Sequence, residues 1–390
     1  MRRAVLLSVL LAVAPEGFLK AQVDPLREEL QAEHGRIQNL WRQKNFEEGF
    51  RILAARATSD SFAKLSPDVR AGVHYNMACA AALLGRTGEA LACLGEAVGS
   101  GFGNWANLST DPDLDSLRKE PGFRWLADTV RRRGDHLAIL RRFAAYSLEP
   151  QAQPAFTYQP AEAPELVQFR QNYKLQELAG GGSEFTRAVR LMHWVHRQVR
   201  HDGTSKNPEP VNGPSLLEAC RKEARGLNCY MMAVILNEAC LSLGIKSRMV
   251  RCSPLNEQDP DCHVVNAIWS GDHGKWLYLD PTNDAWVGDE KGIPLSPQEL
   301  RERLITGRPV QISDGANWNG KPLVPSQYLD YMAKNLVRIS CPLASAFGHE
   351  SRRSDQRPYV TLDALALDRP TREQGGGPVV KDPAAFWARP

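Results

Sequence analysis

The fold of this chain is decided by the stretch RGLNCYMMAVILNEACLSLGIKSRMV, which runs from Arg225 to Val250. Its apolar residues recur at helical spacing, and one face of the predicted helix carries Cys229, Met232, Ala233, Leu236, Ala239, Cys240 and Leu243. Gly244 follows at a position where helices commonly end on a glycine. The pattern predicts a buried helix with a cysteine in its first turn.

Cys229 occupies a position that suits a nucleophile. Gly226, just ahead of it, lets the backbone turn tightly into the helix. The unpaired N–H groups of the first turn then lie near the sulfur, and such a setting favours a thiolate. The alternative is a core role, because cysteine is among the most buried residue types. Cys240, on the same face, is assigned to the core.

The residues after the helix predict antiparallel strands. Residues 246–252 alternate in strand fashion, and the turn-rich sequence SGDHG joins HVVNAIW, which starts at His263, to KWLYLD, which ends at Asp280. If the turn is centred near Asp272, residues whose numbers sum to about 544 face each other. His263 then lies across from the Asp280 end of the neighbouring strand, at Cβ separations of roughly 5 Å.

These residues supply a nucleophile, a base and an orienting group. An imidazole between a thiol and a carboxylate is held in one tautomer and is stabilised when it becomes charged. The chain provides such a set in the order Cys229, His263, Asp280. A zinc site is the alternative by residue type, and it would use Cys252, Cys262, His263 and His273. No close CxxC or HxxxH pair prepares that site, which argues against zinc.

The three segments RGLNC with its helix, HVVNAIW and KWLYLDPT resemble the transglutaminase-like domain, a branch of the papain-like cysteine fold. The resemblance implies a catalytic triad of Cys229, His263 and Asp280, and a helix carrying the cysteine that packs on an antiparallel sheet. It leaves the reaction open, because the family includes protein cross-linkers, peptidases, amidases and inactive members. The calcium dependence of the animal enzymes is not carried over, since no DxDxDG loop is present, and no cofactor is expected.

Further residues are assigned around the nucleophile. The Cys229 backbone N–H and a second donor, for which Asn228 is named, would hold the oxyanion. Trp276, Trp286 and Trp318 are candidates for the walls of a substrate channel, with core packing as the alternative.

A helix is predicted ahead of the cysteine helix, and its histidines are assigned to the surface or to packing. They are His193 and His196, three residues apart in SEFTRAVRLMHWVHRQVRHDG. The loop over residues 201–214 follows, and it is expected to cross the mouth of the cleft and to influence access.

Composition is that of a globular protein, with 43% hydrophobic and 24% charged residues. A net charge of +3 is too small to indicate a nucleic-acid partner. The start MRRAVLLSVLLAVAPEGFLKAQ predicts a signal peptide over residues 1–21, with a buried helix as the alternative. The mature protein is therefore expected to be exported, periplasmic or secreted, without an integral membrane segment. The eight cysteines show no disulfide framework, and a catalytic Cys229 must stay free.

The predicted organisation is a helical module over residues 24–146, a linker over 147–164, a transglutaminase-like domain over 165–345, and a C-terminal extension and tail over 346–390. The run from VRAGVHYNMACAAALLG to GEAVGSGFGN resembles a tetratricopeptide repeat, a helix-turn-helix unit. Its hydrophobic stack is expected to be capped by Leu114, Leu117, Phe123 and Trp125. The module is either a peptide-binding groove or a structural appendage.

The sequence thus predicts an α+β, exported protein that resembles a bacterial transglutaminase-like subgroup. The expected chemistry is acyl transfer through a Cys229 thioester, with hydrolysis of peptide or amide bonds in a peptide or protein substrate. One alternative is a protein cross-linking transglutaminase. The other is a non-catalytic scaffold in which the tetratricopeptide-like module recruits a protein partner.

Overall fold

The computed structural model describes residues 25–203, 205–256, 259, 261–367 and 378–390. They form two compact units, divided between Asp135 and His136. The predicted signal peptide over residues 1–21 lies outside the described residues. The predicted domain limits, including the linker over 147–164, stay predictions.

The first unit is helical, as the sequence predicts for this region. Its helices are α1 (Pro25–Arg42), α2 (Phe46–Ala57), α3 (Pro67–Leu83), α4 (Thr87–Gly99), α5 (Trp105–Thr110) and α6 (Pro121–Gly134). Helix α3 begins at Ser66, whose side chain accepts the Val69 N–H. Small, fully buried residues such as Ala78 and Ala90 allow α3 and α4 to pack closely.

One aromatic residue of the first unit differs from the expectation. Leu114, Leu117 and Phe123 are buried as predicted, but Trp125 is 67% exposed. In α6 the inward positions fall on Phe123, Leu126 and Val130, at helical spacing, and Trp125 lies off that face. Trp125 therefore does not cap the hydrophobic core.

The second unit combines helices with a mixed sheet, consistent with the α+β prediction. Its helices are α7 (His136–Arg142), α8 (Pro164–Asn172), α9 (Leu175–Ala179), α10 (Glu184–Gln198), α11 (Gly213–Glu223), α12 (Cys229–Ser242), α13 (Pro297–Thr306), α14 (Pro325–Asn335) and α15 (Pro383–Phe386). Its strands are β1 (Thr157–Tyr158), β2 (Ser247–Ser253), β3 (His263–Ser270), β4 (Lys275–Leu279), β5 (Val287–Gly288), β6 (Gln311–Ile312), β7 (Asn317–Trp318), β8 (Lys321–Pro322), β9 (Arg338–Pro342), β10 (Ala344–Ser345), β11 (Tyr359–Leu362) and β12 (Val379–Val380).

The central sheet of the second unit has the strand order β12-β11-β9-β2-β3-β4. Its neighbours run antiparallel except β11 and β12, which are parallel. In the β3–β4 hairpin Asn266 pairs with Leu279 and Ser270 with Lys275, so facing residue numbers sum to 545. The predicted hairpin is confirmed, with a register one residue from the predicted sum.

The sheet carries a hydrophobic core on each face. Met249, Val264 and Leu277 point to the face on which α12 packs, and Val250, Val265 and Tyr278 point to the face covered by α14. Helix α12 also packs against α8, α10 and α11, so all of its residues from Met231 to Ser242 are buried. The predicted single apolar face is therefore too narrow, since this helix is enclosed on all sides.

The C-terminal residues dock on the second face of the sheet. Phe386 is fully buried, and its carbonyl accepts a hydrogen bond of 2.9 Å from the buried guanidinium of Arg248. The same guanidinium lies over the rings of Phe156 and Trp276, at 3.5 and 4.0 Å from their centroids. Within the described residues, no helix combines the length and the apolar character required to cross a membrane.

Candidate active site

Cys229 is the first residue of α12, and Asn228 caps that helix. The Asn228 side-chain oxygen accepts the Met231 N–H at 3.0 Å, and its amide nitrogen donates to the Asn207 side chain at 2.9 Å. Asn228 was expected to donate to an oxyanion. The structure instead commits its side chain to the helix cap and to Asn207, so its contribution is to fix the start of the helix.

Gly226 has a role that differs from the predicted tight turn. A Cβ at this position would lie 2.5 Å from the Arg200 carbonyl oxygen and 2.7 Å from the Asp202 Cβ. Hydrogen bonds from Leu227 to Arg200 and from Asp202 to Leu227 hold the two segments together. The missing side chain thus allows residues 200–202 to lie directly against the chain that leads into Cys229.

His263 and Asp280 form a buried pair. The His263 Nε2 lies 2.7 Å from the Asp280 Oδ2, and both side chains are almost fully buried. With Nε2–H donating to the carboxylate, Nδ1 is the ring nitrogen left to face Cys229, whose pKa is lowered by His263. The structure therefore brings the three predicted residues together in the order thiol, imidazole, carboxylate.

The Asp280 carboxylate is surrounded by hydrogen-bond donors. It accepts the backbone N–H groups of Thr282 and Asn283, the side-chain amide of Asn283 at 2.9 Å and the Tyr328 hydroxyl at 2.8 Å. Burial raises its pKa, but His263 and these donors hold the pKa below its ordinary value. Asp280 is therefore charged at neutral pH.

The same arrangement shifts the pKa values of the other two groups. Burial lowers the pKa of His263, but Asp280 and Cys229 raise it well above its ordinary value. Burial also raises the pKa of Cys229, yet hydrogen bonds from His201 and His263, together with the His263 charge, lower the pKa to about 6. A thiolate and an imidazolium are thus the favoured pair at neutral pH.

His201 is a site residue that the sequence did not single out. The Trp318 indole N–H donates to its Nδ1 at 3.1 Å, which places the ring proton on Nε2. The His201 backbone is held as well, since the Asn319 side chain accepts its N–H at 2.8 Å and donates to its carbonyl at 3.0 Å. His201 thus holds its Nε2–H in a fixed position in the cleft that contains Cys229, and it lowers the pKa of that thiol.

The signal for His201 in the sequence is weak. It begins the loop that was expected to cross the mouth of the cleft, and it does line the cleft. Its partners Trp318 and Asn319 lie more than 100 residues further along the chain. Asn319 has a φ of 49°, a left-handed conformation that asparagine tolerates better than most residues.

Of the three tryptophans predicted to line a substrate channel, one lines the cleft and two do not. Trp318 lines the cleft, whereas Trp276 and Trp286 do not. Trp276 is buried on the second face of the sheet, where its indole donates to the Ala388 carbonyl. It shares a strand face with Asp280 but lies four residues away, roughly 13 Å along a strand. Trp286 packs edge-on against Phe185 at 5.4 Å between centroids. The core alternative therefore holds for both.

The two histidines of α10 brace the loop that follows Asp280. His193 Nδ1 lies 2.6 Å from the Asp284 carboxylate, and His196 Nδ1 lies 3.2 Å from the Pro281 carbonyl oxygen. Their predicted assignment to packing agrees with these contacts. Within the described part of the chain, no group of three or more His, Cys, Asp or Glu residues is arranged to hold a metal ion. All eight cysteines are free.

The cysteine lies in an open cleft of about 750 Å³. One wall comes from α14, where the Tyr331 ring meets the His263 ring edge-on at 5.4 Å between centroids. Another wall comes from the β7–β8 turn, with Trp318 and Lys321. The cleft is large enough for an extended peptide segment to reach the sulfur.

Comparison with known proteins relates part of this unit to a family. Residues 173–281, from α9 to the end of β4, match the model of the transglutaminase-like superfamily. A search of curated proteins gave no match. A crystal structure from Cytophaga hutchinsonii named "Putative Cysteine Protease" aligns at 17% identity over 39% of this chain and 48% of its own, with a TM-score of 0.24. The second unit contains a transglutaminase-like domain at residues 173–281.

Proposed function

We propose that this protein is a cysteine acyl-transfer enzyme that hydrolyses peptide or amide bonds. The observation that carries the proposal is the partly exposed Cys229 beside the buried His263–Asp280 pair, in which the thiol pKa is lowered to about 6. A thiol activated in this way, next to a hydrogen-bonded imidazole, is the arrangement that nucleophilic catalysis requires. The match of residues 173–281 to the transglutaminase-like superfamily supports the same class.

The first half of the reaction forms a thioester. The Cys229 thiolate attacks the carbonyl carbon, and the carbonyl electron pair moves onto oxygen. The C–N bond then breaks as His263 transfers its Nδ1 proton to the leaving amine. Asp280 keeps the ring oriented and stabilises its charge.

The second half releases the acid. His263 takes a proton from water, the hydroxide adds to the thioester carbon, and the C–S bond breaks to restore the thiolate. A primary amine in place of water would give cross-linking. Hydrolysis is proposed because the cleft is open to solvent.

His201 is proposed as the second oxyanion donor, beside the Cys229 backbone N–H. Its Nε2–H is fixed by the Trp318 hydrogen bond to Nδ1, and His201 lines the same cleft as Cys229. A donor placed there needs no reorganisation when negative charge develops on the substrate oxygen. This replaces the expected donor Asn228, whose amide is used within the protein.

The remaining features of the chain enter the proposal as expectations. We propose that residues 1–21 direct export to the periplasm or the medium. The helical first unit is proposed to be tetratricopeptide-like, with one clear and one degenerate helix pair, and to recruit a protein partner. Both rest on the sequence pattern.

The test measures alkylation of Cys229 by mass spectrometry as a function of pH, in the wild type and in His263→Ala. We expect reaction to rise with a midpoint near 6 in the wild type, as the pKa requires, and near the ordinary thiol value of about 8.5 in the variant. Cys220, whose pKa burial raises to about 11, is the internal control.

A library of peptides, incubated with the full chain and a primary amine, then distinguishes hydrolysis from amine incorporation by product mass. Cys229→Ala is the inactive control, and Cys220→Ala is a matched loss of a thiol outside the site. A Cys229 thiol that stays unreactive until the protein unfolds would refute the enzyme proposal and favour the scaffold alternative.

A further inference from the structure

Two of the eight cysteines differ from the others in their exposure to solvent. Cys229 and Cys262 are partly exposed, and both line the open cleft described above. The other six are buried, namely Cys79, Cys93, Cys220, Cys240, Cys252 and Cys341. A small oxidant dissolved in water therefore reaches these two thiols in one cleft, while the protein shields the others.

The backbone of Cys262 borders the sulfur of Cys229. The Cys229 Sγ lies 3.9 Å from the carbonyl oxygen of Cys262. Cys262 directly precedes His263, the first residue of β3. The proposed nucleophile thus has a second thiol in the residue next to the proposed base.

The two residues are close enough for a disulfide after a local adjustment. A disulfide places the two Cβ atoms about 3.5–4.5 Å apart. The Cβ of Cys262 lies within about 3.5 Å of its own carbonyl oxygen, which the Cys229 sulfur already contacts. A change of χ1 rotamer moves a cysteine sulfur by about 3 Å. Cys262 can shift as well, because it lies outside the β2–β3 ladder, which begins at His263.

Cys229 is the thiol that reacts first with an oxidant. Peroxides are attacked by thiolates, and the pKa of Cys229 is lowered to about 6. Burial raises the pKa of Cys220 to about 11 and that of Cys240 to about 12. At neutral pH Cys229 is therefore a thiolate in an open cleft, whereas these buried thiols are protonated and covered.

We propose that Cys229 and Cys262 form a reversible disulfide when a peroxide enters the cleft. Cys262 is then a resolving thiol, which captures the oxidised nucleophile before further oxygen atoms are added. The consequence for activity rests on the function proposed above, because a disulfide at Cys229 removes the nucleophile and stops the enzyme. Formation of the bond itself requires no turnover.

The chemistry proceeds in two steps. The Cys229 thiolate attacks one oxygen of hydrogen peroxide, an S–O bond forms, the O–O bond breaks and hydroxide leaves, so sulfur is oxidised to a sulfenic acid and peroxide is reduced. The Cys262 sulfur then attacks the Cys229 sulfur, the S–S bond forms and the S–O bond breaks. The departing hydroxide takes the Cys262 proton and leaves as water. A dithiol reverses the bond by thiol–disulfide exchange.

The test maps the bond by mass spectrometry. The full chain is treated with hydrogen peroxide at pH 7, free thiols are alkylated, and the protein is digested with trypsin without reductant. Cleavage after Lys246 and Arg251 separates the Cys229 peptide from the Cys262 peptide, so a disulfide alone keeps them together. These peptides also carry Cys240 and Cys252, and fragmentation of the linked pair assigns the bond. We expect Cys229 joined to Cys262, and separation of the peptides by dithiothreitol.

A variant tests the protective role of Cys262. In Cys262→Ser the sulfenic acid has no resolving thiol, so Cys229 proceeds to sulfinic acid, which dithiothreitol does not reduce. After peroxide and then dithiothreitol, alkylation of Cys229 should be on the order of fivefold lower than in the wild type. Cys220→Ala is the matched control for loss of a thiol, and it should recover as the wild type does. Alkylation before peroxide, measured in each protein, shows that the site is intact.

The outcomes separate this inference from the enzyme proposal. A wild-type Cys229 that reaches sulfinic acid without a link, or that joins any other cysteine or a second molecule, would overturn the disulfide and leave the enzyme proposal standing. Full recovery of Cys262→Ser would overturn the protective role. A linked pair in a protein that cleaves no peptide would support the disulfide and count against the enzyme. A Cys229 that neither oxidises nor alkylates in the folded protein would overturn both, and the wild-type mapping decides if Cys262→Ser does not fold.

Discussion

The carboxyl groups of Asp280 and Glu238, both in the second unit, are fully buried, and their surroundings give them opposite charge states. Asp280 lies against the His263 imidazole and three further partner residues, and its pKa is held below its ordinary value. Burial raises the pKa of Glu238 to about 8, even though its oxygens accept the backbone N–H groups of Gly213 and Gly348 at 2.7 and 2.9 Å.

The difference shows that burial alone does not set the charge of a carboxyl group. Two neutral donors are too few to offset desolvation at Glu238, and the charge of Glu350 opposes ionisation further. A cation is what keeps Asp280 ionised. At neutral pH Asp280 therefore acts electrostatically on His263, whereas protonated Glu238 joins the loops that carry Gly213 and Gly348.

The largest expected effect comes from removing the charge of Asp280 while keeping its shape. In Asp280→Asn the imidazolium loses its counter-charge, and the pKa of Cys229 should rise toward that of an ordinary thiol. We expect kcat/KM on the best substrate of the peptide library to fall roughly 10³–10⁴-fold. A loss of less than tenfold would contradict the electrostatic role of Asp280.

The next effect concerns Glu238, whose contribution to the stability of the fold changes with pH in the direction opposite to that of Asp280. Its folded pKa of about 8 lies above the unfolded value of 4.5, so the stability it contributes is full below about 4.5 and is lost as pH rises to about 8. For Asp280, with a lowered folded pKa, stability is present at neutral pH and is lost on acidification.

Glu238→Gln removes this titration. The NH₂ group of the glutamine lies against one of the two backbone N–H groups, and this clash of donors lowers the free energy of unfolding by about 1–3 kcal/mol at pH 5. The advantage of the wild type over the variant should fall by about 3–5 kcal/mol between pH 5 and pH 8, so that it disappears or reverses. Denaturant unfolding of both proteins at the two pH values measures this, and a constant difference would show that Glu238 is ionised throughout.

A third test measures the contribution of the His201 N–H to catalysis separately from that of the Asp280 charge. His201→Leu removes the ring N–H from the cleft, puts no other donor in its place and leaves the His263–Asp280 pair unchanged. We expect kcat to fall on the order of 10²-fold with little change in KM, because the bond strengthens as charge develops on the oxyanion. A change confined to KM would assign His201 to substrate binding.

The smallest effect is expected at Trp318, which acts through His201. Trp318→Phe keeps an aromatic wall but removes the N–H that fixes the His201 tautomer. A loss of about fivefold in kcat is expected, the size of one neutral hydrogen bond. In a His201→Leu background the same substitution should have no further effect on kcat, and an additive loss would refute the coupling.

Sequence reasoning captured what local pattern encodes. Helix α12, the β3–β4 hairpin and the proximity of His263 to Asp280 follow from periodicity and turn residues, because neighbours in the chain fix a register. His201 was missed because its tautomer depends on Trp318 and its backbone on Asn319, both distant in the chain. Trp276 was misplaced because residue type does not reveal position along a strand.

The packing of Phe386 on the sheet bears on the order in which the second unit can assemble during synthesis. A ribosome makes Cys229, His263 and Asp280 long before it reaches β9, β11 and Phe386. The sheet gains its inner neighbour β9, and Arg248 its carbonyl partner, only when residues well beyond Asp280 have been made. The nascent chain therefore carries the reactive groups before the sheet that supports them is complete.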